Sequence, residues 1–195
     1  MLSGMILAAG ESRRMEGRVK ALLLIDGESF LERIINSMSN ADIGELVVVL
    51  GADHEKIEAE VNMMCARIVI NKNWEQGQLS SLRAGINNLS SSSEGVLFTL
   101  VDHPLVKVST YVELAERWKE KKENIVIPSY RGRKGHPTIF PRRLYRNILE
   151  GEYQLGARNI IKNEGSSVLF VQVDDPGVVQ DIDTIEDYRR LIKER

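Results

Sequence analysis

The stretch that follows the first apolar run of the sequence combines small residues with several cations. It runs from Leu7 to Met15, and Lys20 follows five residues later. Small residues allow a ligand to approach the backbone closely, so that backbone N–H groups can point at phosphate oxygens, and Ser12 adds a hydroxyl donor. Four cations fall within eight residues: Arg13, Arg14, Arg18 and Lys20. This pattern suits a triphosphate, and a glycine-containing turn with solvated basic side chains is the alternative.

Two acidic residues stand where a carboxylate could hold Mg²⁺. Asp102 directly follows the apolar run Val96–Val101, and ligands of open α/β sheets bind outside the carboxyl ends of strands. Asp183 lies just before the last helical segment. Mg²⁺ usually takes one or two protein carboxylates together with phosphate oxygens and water. The alternatives are a turn or capping role for Asp102 and an acidic first helical turn for Asp183.

A basic stretch, Arg131–Pro137, interrupts the apolar pattern of the second half of the chain. Its glycines predict a hairpin or lobe beside the sheet. His136 lies in this stretch, and no second His or Cys stands at the spacing of a transition-metal site. We expect His136 to contact a substrate phosphate or ring, helped by Arg133 and Lys134. A loop histidine without a role is the alternative.

These residues must be positioned by the alternation of short apolar runs with helical segments. Most runs are continuously apolar, which is typical of strands in a parallel sheet with both faces covered. The predicted strands are Met5–Ala8, Leu46–Leu50, Ile68–Ile70, Val96–Val101, Ile125–Ile127 and Val168–Val173. The predicted helices contain Phe30–Met38, Ile57–Val61, Leu79–Leu89, Leu114–Trp118 and Tyr188–Leu191. Capping residues mark the start of the first, fourth and fifth of these helices: Ser29 with Glu32, Thr110 with Glu113 and Thr184 with Asp187. The alternation predicts one α/β domain, residues 1–195, with a doubly wound, mostly parallel sheet and a small β excursion near 129–140.

Length and composition limit the class of protein. The chain has 195 residues, a formal net charge of −2 and one cysteine, Cys65, which is expected in the core, as are Trp74 and Trp118. The near-neutral charge argues against a general nucleic-acid binder. No apolar run reaches the roughly 18 residues of a membrane-spanning helix. Leu2–Ala9 resembles a core strand rather than a signal peptide, so we expect a cytoplasmic protein with neither nucleic acid nor membrane as partner.

Taken together, these segments resemble the MobA-like nucleotidyltransferases, and within them the molybdenum cofactor cytidylyltransferases. The order and spacing of the shared motifs carry the resemblance, which spans nearly the whole chain. The motifs are Leu7–Met15, Lys20–Leu23, Trp74–Gly85, Asp102–Pro104, Gly135–Pro137, Gly156–Arg158 and Asp181–Asp187.

The resemblance implies a Rossmann-like sheet and transfer of CMP from CTP to the phosphate of molybdopterin, with Mg²⁺ as cofactor and pyrophosphate as product. In the family, the Leu-Ala-Ala-Gly form of the first loop goes with CTP and Leu-Ala-Gly-Gly with GTP, so Ala9 favours CTP. The implied catalytic residues are Arg14, Lys20 and Asp102, and the implied metal ligands are Asp102 and Asp183. The implied nucleotide-binding residues are Leu7, Ala8, Ala9, Gly10, Ser12, Gly77 and Ser81, and the implied acceptor-binding residues are Arg133, Gly135 and His136.

The sequence departs from the family pattern at three places. Glu16 is inserted before Gly17, which moves Lys20 one position along the chain. His103 stands where Gln or Met is more common. The segment Gly151–Gly156 is longer than its usual counterpart.

Three other functions remain open from the sequence. One is a GTP-dependent molybdenum cofactor guanylyltransferase, and another is a cytidylyltransferase for a sugar or polyol phosphate, because a basic stretch suits any phosphorylated acceptor. The third is a non-catalytic carrier that passes the cofactor to a molybdenum hydroxylase apoenzyme. Against the carrier stands the retention of Arg14, Lys20, Asp102 and Asp183, since a pure carrier has no evident need for two metal carboxylates.

Overall fold

The computed structural model describes residues 1–41, 43–151 and 156–194. The lengthened segment Gly151–Gly156 therefore lies largely outside the described residues. The strands are β1 (Leu2–Ala8), β2 (Leu24–Ile25), β3 (Glu28–Ser29), β4 (Glu45–Leu50), β5 (Arg67–Ile70), β6 (Gly95–Leu100), β7 (Ile125–Tyr130), β8 (Arg133–Lys134), β9 (Thr138–Pro141) and β10 (Val168–Gln172). The helices of this described part are α1 (Phe30–Ser39), α2 (His54–Glu60), α3 (Gln78–Ile86), α4 (Val108–Glu120), α5 (Tyr145–Glu150), α6 (Gly156–Glu164) and α7 (Ile185–Lys193).

The main sheet has the strand order β10-β7-β9-β6-β1-β4-β5, and β8 pairs with β7 beside this path. Strand β1 runs parallel to both β4 and β6, β4 runs parallel to β5, and β10 runs parallel to β7. All six predicted strands are present, and the prediction of a mostly parallel α/β sheet is confirmed.

The excursion near 129–140 differs from the prediction of a hairpin or lobe beside the sheet. Strands β7 and β8 do form a hairpin, whose tip residues Arg131 and Gly132 have φ values of 48° and 79°. Strand β9, however, enters the main sheet between β6 and β7 and is antiparallel to both. Residues Thr138–Pro141 are all buried, so this segment is a core strand rather than part of a surface lobe.

The sheet is covered on both faces because successive side chains of a strand point to opposite sides. From β1, Ile6 packs with α1 and α4, whereas Met5 and Leu7 pack with α3 and α5. Helices therefore cover both faces of the sheet, which is the doubly wound arrangement predicted from the apolar runs. Within the described residues, no helix has the length and apolar character needed to cross a membrane.

The helix starts were predicted correctly where the capping group is local. Capping boxes begin α1 at Ser29 with Glu32 and α7 at Thr184 with Asp187. The predicted start of α4 at Thr110 is wrong, because α4 begins at Val108. Cys65 is also not in the core: it is exposed, since it precedes the edge strand β5.

The buried carboxylate of Asp175 ties the segment after β10 to the start of α4. It accepts hydrogen bonds from the Lys107 backbone N–H at 2.8 Å, the Thr110 hydroxyl at 2.7 Å and the Gly177 backbone N–H at 2.9 Å. The hydroxyl of Thr110 is thus engaged by a residue distant in sequence rather than by its own helix. Since the chain continues from Asp175 to Asp183, these bonds also support one side of the site described below.

Replacing Asp175 with alanine leaves three donors without their acceptor at a buried position. We expect the free energy of unfolding to fall by roughly 2–4 kcal/mol. The matched control is Asp174→Ala, which removes an exposed carboxylate one residue away and is expected to change this free energy by less than about 0.5 kcal/mol. Urea unfolding followed by circular dichroism measures both variants. Equal losses would show that the Asp175 hydrogen bonds do not carry this stability.

Candidate active site

Three chain segments meet at the carboxyl ends of β1 and β6. The two strands are parallel neighbours, so the loop after β1 and Asp102 after β6 lie side by side. The segment before α7 is tied to both by backbone hydrogen bonds. The Ile182 N–H donates to the Asp102 carbonyl at 2.8 Å, and the Ile185 N–H donates to the Arg14 carbonyl at 3.2 Å. The topology therefore brings Arg14, Asp102 and Asp183 to one edge of the sheet.

Lys20 lies between the two predicted metal carboxylates. Its Nζ is 2.8 Å from Asp183 Oδ1 and 3.6 Å from Asp102 Oδ2. Arg14 forms an ion pair with the other oxygen of Asp183. The side chain of Lys20 is only 13% exposed, whereas that of Arg14 is 66% exposed. The four predicted catalytic and metal-binding residues thus form one cluster, with a partly buried ammonium at its centre and a guanidinium at its rim.

The inserted Glu16 does not displace Lys20 from this cluster. Glu16 and Gly17 have φ values of 51° and 78°, so the additional residue is taken up in a left-handed turn. The carboxylate of Glu16 points away, to Arg189 of α7, with which it pairs at 2.9 Å. Beyond the turn, the Lys20 backbone N–H donates to Ser12 Oγ at 2.9 Å. The loop therefore closes on itself and returns Lys20 to the carboxylates.

The other two cations of the loop lie outside the cluster. Arg13 pairs with Glu11 at 2.7 Å, and this side-chain hydrogen bond raises the pKa of Arg13. Arg18 is exposed. Four neighbouring cations in the sequence thus give two at the site, Arg14 and Lys20.

A cavity of about 260 Å³ opens beside the cluster. Lys20 and Asp102 line it. So do all of the predicted nucleotide-binding residues, which are Leu7, Ala8, Ala9, Gly10, Ser12, Gly77 and Ser81. Gly77 precedes α3 with φ 89°, a conformation that favours glycine. The Ser81 hydroxyl accepts a hydrogen bond from Asn71 Nδ2 at 3.0 Å. The start of α3 is thereby fixed against the end of β5.

Trp74 also lines this cavity, although a packing role was expected for it. It is partly buried, and its Cβ lies so close to Gly51 that a side chain at residue 51 would meet it. Apolar character alone could not separate a wall residue from a core residue here. The signal was its position at the start of the Trp74–Gly85 motif.

A second and larger cavity, of about 970 Å³, adjoins the first and shares Gln78 and Leu100 with it. The predicted acceptor-binding residues Arg133, Gly135 and His136 all line it. A Cβ at residue 135 would lie 1.8 Å from the carbonyl oxygen of Val178, so this close approach of two backbones requires glycine. We refer to the two spaces as the nucleotide cavity and the acceptor cavity.

The carboxylates suit a hard divalent cation. The carboxylates of Asp102 and Asp183 both face the ammonium of Lys20, Asp102 lines the cavity, and carboxylate oxygen is the ligand that Mg²⁺ prefers. In the part of the chain that the structure describes, no three His, Cys, Asp or Glu residues form a group that could hold a metal. An ion held by Asp102 and Asp183 would therefore complete its coordination with oxygens of a ligand and of water.

The cap of α7 fixes the acidic segment that carries Asp183. The Thr184 hydroxyl donates to Asp187 Oδ2 at 2.7 Å, and this hydrogen bond lowers the pKa of Asp187. Asp187 in turn accepts the Thr184 backbone N–H at 3.0 Å. A helix-capping role for this acidic segment and the position of Asp183 at the cluster are therefore compatible. Thr184 and Asp187 form the cap, and Asp183 faces Lys20.

Comparisons with known proteins identify relatives in sequence and in fold. The protein is 29% identical over 201 residues to the nicotine blue oxidoreductase of Paenarthrobacter nicotinovorans, covering 98% of this chain and 96% of that protein. It is 25% identical over 203 residues to a probable molybdenum cofactor guanylyltransferase of Clostridium perfringens, covering 99% and 97%. The solved structure of Rv0371c from Mycobacterium tuberculosis, in complex with manganese, shares the fold with a TM-score of 0.79 at 23% identity, covering 100% of this chain and 99% of that one.

The family model described as the MobA-like NTP transferase domain matches residues 4–173. This range contains the loop after β1, Asp102 and the acceptor-side residues of β8 and the turn that follows it. The resemblance inferred from the motifs is confirmed for the family. The chain belongs to the MobA-like NTP transferase family of nucleotidyltransferases.

Proposed function

We propose that this nucleotidyltransferase moves CMP from CTP to the phosphate of molybdopterin and releases pyrophosphate. The observation that carries the proposal is the cluster of Lys20, Arg14, Asp102 and Asp183 at the edge of the nucleotide cavity, next to a larger acceptor cavity. Ala9 in the Leu-Ala-Ala-Gly loop supports CTP. The relative named as a molybdenum cofactor guanylyltransferase supports the acceptor class.

The proposed reaction needs positioning and charge neutralisation more than covalent chemistry. The acceptor phosphate attacks the α-phosphorus of CTP in line, a new P–O bond forms, and the bond to pyrophosphate breaks. The attacking phosphate has a second pKa of about 6 and is already ionised at neutral pH, so no general base is required. Lys20 and Arg14 offset the charge on the phosphates, while Ser12 and the backbone of residues 8–10 hold them.

The geometry of the cluster is fixed before the substrates bind. Lys20 is held by two carboxylates and by the bond from its backbone N–H to Ser12. Cations already held in place lose little conformational freedom when phosphates arrive, which favours the transition state. Mg²⁺ held by Asp102 and Asp183 would add charge neutralisation of its own, and the manganese complex of the mycobacterial protein supports a divalent cation here.

The acceptor cavity suits a ring that carries a phosphate. Arg133 and Lys134 provide cations, and His136 and Phe98 provide ring surfaces 5.5 Å apart at their centroids. We propose that Arg133 and His136 contact the acceptor, while Gly135 lets their turn approach Val178. The proposal takes residues 1–195 as one nucleotidyltransferase domain in the cytoplasm, with a molybdenum hydroxylase apoenzyme as the recipient of the product.

Pyrophosphate release with CTP, GTP and ATP, each with and without molybdopterin and Mg²⁺, tests the proposal. We expect release that depends on CTP, molybdopterin and Mg²⁺ together. A preference for GTP would indicate the guanylyltransferase, and release only with a sugar or polyol phosphate would indicate another acceptor. Tight cofactor binding without release would indicate the carrier. Because one relative is named nicotine blue oxidoreductase, consumption of nicotine blue is measured in parallel, and turnover of nicotine blue without pyrophosphate release would contradict the proposal.

Replacing Asp102 with asparagine keeps the size of the side chain and removes its charge. We expect kcat/KM for CTP in Mg²⁺ to fall by about 10²–10³-fold, because a group that stabilises the transition state electrostatically is lost. A thermal unfolding midpoint close to that of the parent protein checks that the fold is intact. Turnover equal to that of the parent protein would show that Asp102 does not hold the metal.

Replacing Arg14 with alanine removes the exposed cation of the cluster. We expect kcat to fall by more than KM rises, roughly tenfold against twofold, if the contact strengthens as the leaving group departs. Arg13→Ala is the matched control, since Arg13 is the adjacent arginine but pairs with Glu11 outside the cluster. Initial rates over a range of CTP concentrations separate the two constants. Equal effects of the two substitutions would contradict a specific role for Arg14.

A further inference from the structure

Asp102 and His103 are consecutive residues that line different cavities. Asp102 lines the nucleotide cavity, and His103 lines the acceptor cavity. The His103 backbone N–H donates to the Leu100 carbonyl at 3.2 Å, in the turn that ends β6. These two residues therefore form part of the wall that separates the two substrates of the proposed reaction.

The two oxygens of the Asp102 carboxylate have different surroundings. Oδ2 faces the ammonium of Lys20 at 3.6 Å. Oδ1 is buried, has no hydrogen-bond partner among the described residues, and lies 3.8 Å from Nε2 of His103. An N–H···O hydrogen bond normally spans about 2.7–3.2 Å, so a movement of less than about 1 Å would close one here. Because a buried oxygen without a partner is costly, closing this bond is favourable.

The imidazole of His103 packs against a second imidazole. Its side chain is 9% exposed, and its Nδ1 is buried without a hydrogen-bond partner in the described part of the chain. Its ring centroid lies 5.0 Å from that of His136. The backbone N–H of His136 is anchored by donation to the Val178 carbonyl at 2.8 Å. A molecule in the acceptor cavity thus meets two adjacent imidazoles, one of which faces Asp102.

We propose that His103 is a positioning residue that couples occupancy of the acceptor cavity to the orientation of Asp102. A ring that fills the cavity against His136 moves the His103 imidazole toward Asp102, and Nε2–H donates to Oδ1. The carboxylate is then fixed from the acceptor side while Oδ2 still faces the nucleotide cavity. The inference rests on the proposed function and adds to it a means by which each substrate promotes binding of the other.

Three substitutions separate this role from simple space filling. His103→Leu introduces an apolar side chain of similar size that has no hydrogen-bond donor. His103→Gln retains an amide N–H donor at a comparable distance from the backbone. His103→Met, also without a donor, replaces the leucine variant if that variant does not fold. A residue that only fills space would tolerate leucine or methionine at least as well as glutamine.

The direct measurement is binding, which does not depend on turnover. Isothermal titration calorimetry gives the dissociation constant of Mg²⁺ and the α,β-methylene analogue of CTP, with and without molybdopterin. We expect molybdopterin to tighten binding of the analogue by about fivefold or more in the parent protein. The effect should fall below about twofold in His103→Leu and persist in His103→Gln. Asp102→Ala removes the acceptor of this bond, so in that background His103→Leu should change nothing further.

Steady-state kinetics provide the second measurement. We expect kcat of His103→Leu to fall about tenfold, because a hydrogen bond to a charged group is lost, and KM for CTP in the presence of molybdopterin to rise by no more than the roughly fivefold coupling that is lost. His103→Gln should recover kcat to within about threefold. Equal binding and equal kcat in the parent, leucine and glutamine proteins would overturn this inference and leave the proposed function intact. A parent protein that binds neither the analogue nor molybdopterin would overturn the proposed function and this inference with it.

Discussion

The constraint on which the site depends is the partly buried ammonium of Lys20. A cation that is only 13% exposed requires compensating negative charge, and here two carboxylates supply it. These carboxylates lie 82 and 163 positions along the chain from Lys20, at Asp102 and Asp183. The ends of β1 and β6 and the start of α7 must therefore meet. In the proposed reaction, a phosphate that enters the nucleotide cavity would encounter cations whose positions are already set.

The connection to the acceptor side follows from the position of β6 in the sheet. On one side β6 pairs with β1, and the loop after β1 lines the nucleotide cavity. On the other side β6 pairs with β9, which follows the basic stretch Arg131–Pro137, and residues of this stretch line the acceptor cavity. Asp102 and His103 come directly after β6. Two neighbouring residues at the end of one central strand thus line both cavities, and in the proposed reaction they would contact both substrates, as transfer between bound molecules requires.

Sequence patterns were sufficient wherever the cause of the structure is local. Continuous apolar runs revealed the six parallel strands, and the boxes at Ser29 and Thr184 marked two helix starts. The same reasoning could not predict contacts between residues that are distant in sequence. Thr110 bonds to Asp175, 65 residues away, instead of capping α4. Strand β9 pairs inside the sheet although its sequence lies next to a basic turn. Lys20 reaches the cluster despite the inserted Glu16, because residues 16 and 17 adopt positive φ angles.

The insertion of β9 between β6 and β7 has a consequence for how such proteins diversify. The basic turn at residues 131–137 is anchored at both ends by strands of the main sheet. Gly135 is fixed by its close approach to Val178, but the side chains of Arg131, Arg133 and Lys134 are exposed and lie outside the core. Under the proposed function, substitutions at these exposed positions would alter the choice of acceptor while the framework of the sheet is kept, and a laboratory library confined to them would explore new acceptors.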